Sequence, residues 1–289
     1  KLDRVIALHR SGCNLIVLLD NVEQAQAVAS ASRSSRIAIP ALIEIDCDGH
    51  RSGLTFDDPA LVDVGRILTQ GGAALRGVLC HAGGSYGAVG VVAHAKCAEQ
   101  ERLAVVNAAE ALRGAGLQCP VVSVGSTPTA HAAQDLTGVT EMRAGVYVFF
   151  DLVMAGIEVC CIDDIALSVL TTVIGHQSTR GWIICDAGWM AMSRDRGTAA
   201  QDVDQGYGIV CDSAGVPIPG LIMVQANQEH GVIARRPDFK GAVPAIPVGT
   251  QLRILPNHAC ATAAQHSGYH VIPEKPEATL MNWPRFGGW

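Results

Sequence analysis

Charge is scarce in this sequence. Asp, Glu, Lys and Arg make up 17% of the 289 residues, against 49% apolar. Such a chain is not disordered, because disordered segments are charge-rich and apolar-poor. Basic runs are missing as well. Lys+Arg 21 against Asp+Glu 27 leaves a net charge of −6, which argues against a nucleic-acid-binding face. Mean hydropathy is +0.26, yet no apolar stretch reaches the ~18 residues that a membrane span needs. No leader pattern, charged then apolar, stands at the start. Ten cysteines are spaced irregularly and are too sparse for a small disulfide-stapled domain. These absences lead us to expect a reduced, cytoplasmic protein with neither a nucleic-acid nor a membrane partner.

What the chain does have is short, strand-length apolar runs closed by Gly or polar residues, the texture of a buried parallel sheet. Strand and helix signals alternate through the first half. Strands are expected at 15–19 (LIVLL), 41–46 (ALIEID), 75–80 (LRGVLC), 120–125 (PVVSVG) and 140–150 (TEMRAGVYVFF). Helices are expected after Asn21, over 59–70 and over 94–116. This βαβ alternation predicts a parallel sheet with crossover helices. After about residue 158 helical periodicity fades, and runs such as GWIICDAG, GYGIVCD and TQLRILPNHAC are separated by Gly, Pro and Asp turns. That pattern predicts an antiparallel β domain. The expected domains are 1–158, an α/β barrel part, and 159–289, the β domain.

The strand ends carry the candidate chemistry, and each candidate has an ordinary alternative. His258 and Cys260 in PNHAC sit at i and i+2. On a strand they would share a face and offer an imidazole–thiolate pair for a transition metal, zinc above all; otherwise they are a buried Cys beside a turn His. Ser126 and Thr127 in SVGSTPT could cradle a phosphate or simply form a strand-to-helix turn. Gly145 and Tyr147 in EMRAGVY close the next strand in the same manner. Arg51 in DGHRSG could contact a cofactor ring or stand on the surface. His81 and Tyr86 share the loop HAGGSYG, and Glu229 and His230 lie in QEHG, which ordinarily reads as a turn.

Their order decides between these readings. The series IEID-x-DGHRSG, HAGGSYG, SVGSTPT, E-x-RAGVYVFFD, DAGWMAMSRD, QEHG and PNHAC resembles the D-serine dehydratase-like family of fold-type III pyridoxal-phosphate enzymes. The likeness covers essentially all 289 residues. It implies an alanine-racemase-like (β/α)8 barrel, here partial with about five strands, followed by an antiparallel β domain. It implies pyridoxal 5′-phosphate and a divalent metal: zinc first, with manganese, cobalt or magnesium also able to serve. Ser126, Thr127, Gly145 and Tyr147 would hold the cofactor phosphate, and Arg51 would contact the ring. Tyr86 and His81 would be catalytic, and His258 and Cys260 would bind the metal. The implied activity is an ammonia-lyase acting on a D-3-hydroxy amino acid. The segments EMRAGVYVFFDLVMAGI and DAGWMAMSRDRGTA point to D-threo-3-hydroxyaspartate before D-serine. Arg143 and Arg194 are candidates for the extra substrate carboxylate. A homodimer is implied for the full-length protein.

One departure stands out. The family's cofactor lysine sits near the N-terminus in a motif like Arg-Pro-His-x-Lys-Thr, and none of Lys1, Lys96, Lys240 and Lys275 stands in such a motif. The resemblance therefore implies a chain without roughly the family's first quarter, with two open sheet edges and no lyase activity alone. Rival readings are a D-threonine aldolase, disfavoured by Cys260 where aldolases tend to have a carboxylate, a non-catalytic pyridoxal-phosphate-binding barrel, and a functionless reading frame.

Overall fold

The computed structural model describes residues 1–273 and 279–287, and the chain forms two compact units, Lys1–Gly145 and Val146–Trp289. Lys275 lies outside the described residues. Among the described residues no helix is long and apolar enough to cross a membrane.

The first unit is the expected alternation. Its helices are α1 (Leu2–Arg10), α2 (Val22–Ser35), α3 (Ala60–Gln70), α4 (Val91–Gly114) and α5 (Thr127–Ala132). Its strands are β1 (Val17–Leu19), β2 (Pro40–Ile45), β3 (Ala74–Cys80), β4 (Val121–Val124) and β5 (Glu141–Met142), and they lie parallel in chain order. Parallel neighbours need crossover connections, which the helices supply. Asn21 starts α2 by accepting the Gln24 N–H at 2.9 Å, and Pro59 precedes α3, where a missing N–H costs nothing. Ile43, Val78 and Val122 form the buried middle of the sheet, against Leu61, Leu68, Val105 and Leu112 of the helices. Gly77 holds β3 close to β4: its φ is +139°, and a Cβ there would run into the Val121 carbonyl oxygen.

The fifth strand is much shorter than the run 140–150 suggests. Only Glu141 and Met142 pair with β4, and the Arg143 N–H adds one bond to the Val124 carbonyl at 2.8 Å. The chain then satisfies its backbone locally. Val146–Val148 form a 3-10 turn, and the Phe149 and Phe150 N–H groups both return to the Val146 carbonyl.

The second unit is built on a closed antiparallel barrel. Its strands are β6 (Val169–Gln177), β7 (Trp182–Cys185), β8 (Ile209–Cys211), β9 (Pro217–Ala226), β10 (Gly231–Arg235) and β11 (Gln251–Leu255), in the order β10-β7-β6-β11-β8-β9. Closure leaves no free edge. Val173, Val210, Met223, Ile233 and Ile254 fill the interior. Short helices α6 (Leu152–Gly156), α7 (Trp189–Met192) and α8 (Ala259–Ala263) flank it, and β12 (Gly268–Val271) pairs separately with β13 (Met281–Pro284). Glu229 and His230 lie in the β9–β10 turn, where the Asn227 N–H meets the His230 carbonyl.

The units divide after Gly145, earlier than the change of texture at 158. The reason is hydrogen bonding: Leu152 and Val153 donate to the Pro256 and Asn257 carbonyls, each at 3.1 Å, so α6 belongs to the β domain.

Candidate functional site

In the first unit, the strand ends of β2, β3 and β4 carry the residues singled out from the sequence. His81 follows β3 directly, and Tyr86 lies in the 3-10 turn Gly83–Gly87; their rings are 6.1 Å apart and tilted by 33°. His81 Nδ1 meets the Gly125 carbonyl at 2.8 Å. A carbonyl only accepts, so Nδ1 carries the hydrogen and Nε2 presents a lone pair. Arg51 stands in the loop after β2 with its guanidinium 3.5 Å from Glu44 and 54% of its side chain exposed. The Ser52 hydroxyl donates to the same carboxylate.

Ser126 and Thr127 sit where β4 passes into α5. Gly125 permits that corner: its φ is +152°, and a Cβ would collide with the Arg143 carbonyl. Ser126 caps α5, accepting the Thr129 N–H. The Thr127 hydroxyl is buried and has no hydrogen-bond partner. An orphaned buried hydroxyl costs about 1–3 kcal/mol, so a bound acceptor there would relieve a real deficit. That is the observation by which the segment fits a phosphate. Gly145 is the last residue of this unit. Tyr147, half exposed, lies in the 3-10 turn that opens the second unit.

Arg143 is not a free cation. Its guanidinium donates to the Ser123 hydroxyl at 2.8 Å and to the Cys80 carbonyl, and burial lowers its pKa. Arg194 lies over the Trp189 ring at 4.7 Å. Lys96 lines a groove of about 830 Å³ between the β2 loop and α4, with Asp46, Asp48 and Glu99.

In the second unit the His–Cys pair is not on a strand. β11 ends at Leu255; His258 is the N-cap of α8 and Cys260 lies within its first turn. A helix start, not strand alternation, brings the two together. His258 Nδ1 donates to Asp195 Oδ2 at 2.5 Å, which leaves Nε2 as the donor for a metal. The neighbouring Cys260 thiol first, then Asp195, raise the imidazole pKa to about 9, although burial opposes the charge. Imidazole, thiol and an orienting carboxylate suit a soft divalent ion such as zinc. Among the described residues no three His, Cys, Asp or Glu side chains form a group that could hold a metal ion.

The loop bearing the pair is held by buried groups. Asp151 caps α6, and its other oxygen accepts the Ala259 N–H at 2.8 Å; burial raises its pKa. Asn257, 3% exposed, donates to the Gly206 carbonyl at 2.7 Å and to the Asp195 carbonyl at 3.2 Å, and accepts from Thr198 at 3.2 Å. Sequence reasoning missed Asp151, Asn257, Asp195 and, in the first unit, Glu101. Glu101 had a signal: it occupies a place in the apolar stripe Ala98, Val105, Ala108, Leu112 of α4 and is 1% exposed.

Residues 4–153 match the family model "Alanine racemase, N-terminal domain", and residues 166–272 match "Putative serine dehydratase domain". The chain is 56% identical to the D-threo-3-hydroxyaspartate dehydratase of Delftia sp. (strain HT23), over 100% of this chain and 76% of that protein. It is 29% identical to the D-serine dehydratase of Dictyostelium discoideum, over 92% of this chain and 70% of that protein. The solved structure of the Delftia protein superposes with a TM-score of 0.95 at 55% identity, covering 100% of this chain and 76% of that one. A cysteine-to-alanine mutant of that protein has been solved in a metal-free form.

Proposed function

The chain belongs to the D-serine dehydratase-like family, an enzyme family of the lyase class with the alanine-racemase-like fold, and from that premise we propose a pyridoxal-phosphate- and divalent-metal-dependent dehydratase of D-3-hydroxy amino acids. The favoured substrate is D-threo-3-hydroxyaspartate, converted to oxaloacetate and ammonia. The observation that carries this reading is the 56% identity with the Delftia dehydratase across the whole chain.

When bound, the cofactor supplies an electron sink and the metal a Lewis acid. The chain's own residues do the rest. The corner Gly125–Thr127 seats the phosphate, with the orphaned Thr127 hydroxyl as a ready donor. Arg51, on the loop after β2 and steadied by Glu44, would contact the ring, and Tyr86 beside His81 on the loop after β3 would face cofactor and substrate. His81 Nε2 can take up or release a proton because Nδ1–H is committed to Gly125. His258 and Cys260 would hold the metal, and Asp195, bonded to Nδ1, fixes the imidazole.

Product analysis tests the reading. The protein from its full reading frame, supplied with pyridoxal phosphate and zinc, is given D-threo-3-hydroxyaspartate. Oxaloacetate and ammonia in equal amounts are the expected outcome. Glycine plus glyoxylate instead would mark retro-aldol cleavage, and turnover of D-serine alone would move the substrate assignment.

A further inference from the structure

The phosphate corner offers two adjacent hydroxyls, Ser126 and Thr127, and the buried groups beneath them decide which one can serve an anion. The inference rests on the cofactor reading above. Ser85, Ser126, Thr129 and Glu101 form a file of polar side chains, none more than 3% exposed. Glu101 reaches in from α4. Its Oε1 accepts the Ala82 N–H at 3.1 Å and the Gly125 N–H at 3.0 Å, tying the ends of β3 and β4 to one carboxylate. Its Oε2 accepts the Thr129 hydroxyl at 2.8 Å.

A carboxylate only accepts, and a hydroxyl has one hydrogen to give. Thr129 gives its hydrogen to Glu101, since a charged acceptor outcompetes the Ser126 carbonyl at 3.3 Å. Thr129 Oγ1 therefore meets Ser126 Oγ, 2.9 Å away, as the acceptor, and Ser126 is the donor. The Ser126 N–H, at 3.2 Å, points at the same oxygen. Ser126 Oγ also accepts the Thr129 N–H at 3.3 Å, and Ser85 Oγ, 2.9 Å away, has given its own hydrogen to the Ala82 carbonyl at 2.7 Å, so both inner neighbours of Ser126 are acceptors for its hydrogen. Toward an incoming phosphate it shows lone pairs, which repel. The neighbouring Thr127 hydroxyl has no partner in the protein.

We propose that Glu101, seconded by Ser85, is a positioning residue that polarises this file of hydroxyls, keeping the Ser126 hydrogen inward and leaving Thr127 as the side chain that donates to a bound phosphate. Replacing the carboxylate by an amide reverses the direction. Glu101→Gln keeps an oxygen for the two N–H groups and places an NH₂ against Thr129. Thr129 then gives its hydrogen to Ser126, and with Ser85→Ala added to remove the second inward acceptor, Ser126 is released to donate outward.

The test measures affinity for pyridoxine 5′-phosphate and for pyridoxine by titration calorimetry on the full chain. Neither probe has an aldehyde, so binding does not depend on a lysine, and their ratio isolates the phosphate. In the parent protein the phosphorylated probe binds at least about tenfold more tightly, the worth of one charge-assisted hydrogen bond. Thr127→Val removes most of that ratio, Thr127→Ser restores it, and Ser126→Ala changes it far less. In a background carrying both Glu101→Gln and Ser85→Ala, Ser126→Ala lowers the ratio. Thr127→Ala serves if the valine variant does not fold. Loss of the ratio through Ser126 and not Thr127, or a Ser126 effect indifferent to the paired Glu101→Gln and Ser85→Ala replacements, overturns the inference and leaves the cradle standing. A parent protein that binds both probes equally overturns the cradle together with the inference.

Discussion

Asn257 is the side chain on which the loop carrying His258 and Cys260 most directly depends, and Asn257→Ala is expected to weaken the fold of the second unit measurably. Its two N–H groups serve the Gly206 and Asp195 carbonyls and its oxygen serves Thr198, three bonds in a site that is 3% exposed. At about 0.5–1.5 kcal/mol net for each bond, truncation costs about 3 kcal/mol, since none of the stranded partners gains water at such depth. Asn257→Asp keeps the volume and the acceptor for Thr198 but sets an oxygen against two carbonyls. It is expected to cost at least as much as the alanine variant. Urea unfolding followed by tryptophan fluorescence measures both. With a slope of about 2–3 kcal/mol per M, the midpoint falls by about 1 M with the slope unchanged. A shift below a quarter of that value in the alanine variant, or an aspartate variant as stable as the parent, would refute the account of this side chain as a donor to two carbonyls.

Further outcomes follow from the same geometry. Asp195→Ala is expected to lower zinc affinity about 10–100-fold in competition with a chromophoric chelator, because the imidazole loses the carboxylate that orients it; unchanged affinity would remove Asp195 from the site. Gly125→Ala is expected to cost about 2–6 kcal/mol from backbone strain plus overpacking against Arg143, read as a fall in thermal midpoint or in soluble yield. All ten cysteines are free thiols, and mass spectrometry after brief iodoacetamide treatment at pH 8 should find Cys13, Cys161 and Cys260 labelled while Cys80, Cys119, Cys185 and Cys211 wait for denaturant. Burial raises the Cys211 thiol to about 11, so its contribution to stability is full below the ordinary thiol range and is lost as pH rises through about 11. Unfolding free energy should therefore fall across that alkaline window, and a Cys211→Ala variant should show less of the fall.

Much of the fold was legible because the first unit keeps one period throughout. Runs such as ALIEID and LRGVLC are apolar, short and closed by polar residues, and β2 and β3 form where they stand. The fifth strand was overread because TEMRAGVYVFF has the same composition, and composition does not reveal that Phe149 and Phe150 hydrogen-bond back to Val146. The motif residues were found as a series, but their geometry was not. The i, i+2 spacing of His258 and Cys260 suggested a strand face, whereas a capped helix turn brings them together equally well. The supporting groups were the hardest to see. Asp195 and Asn257 lie 62 residues apart and meet only through a side-chain-to-backbone bond, for which the sequence carries no periodic trace. Glu101 was the exception, a charge standing in an apolar stripe, and such a misfit is the one kind of buried polar residue that a sequence can announce.

The strap of Asp151, Leu152 and Val153 across Pro256, Asn257 and Ala259 bears on how the protein can be dissected. A cut made by texture, after residue 158, would remove the three residues that latch the far end of the barrel, and the piece obtained would carry its histidine and cysteine on a turn without that strap. Cloning from Val146 keeps that latch with the piece it fastens.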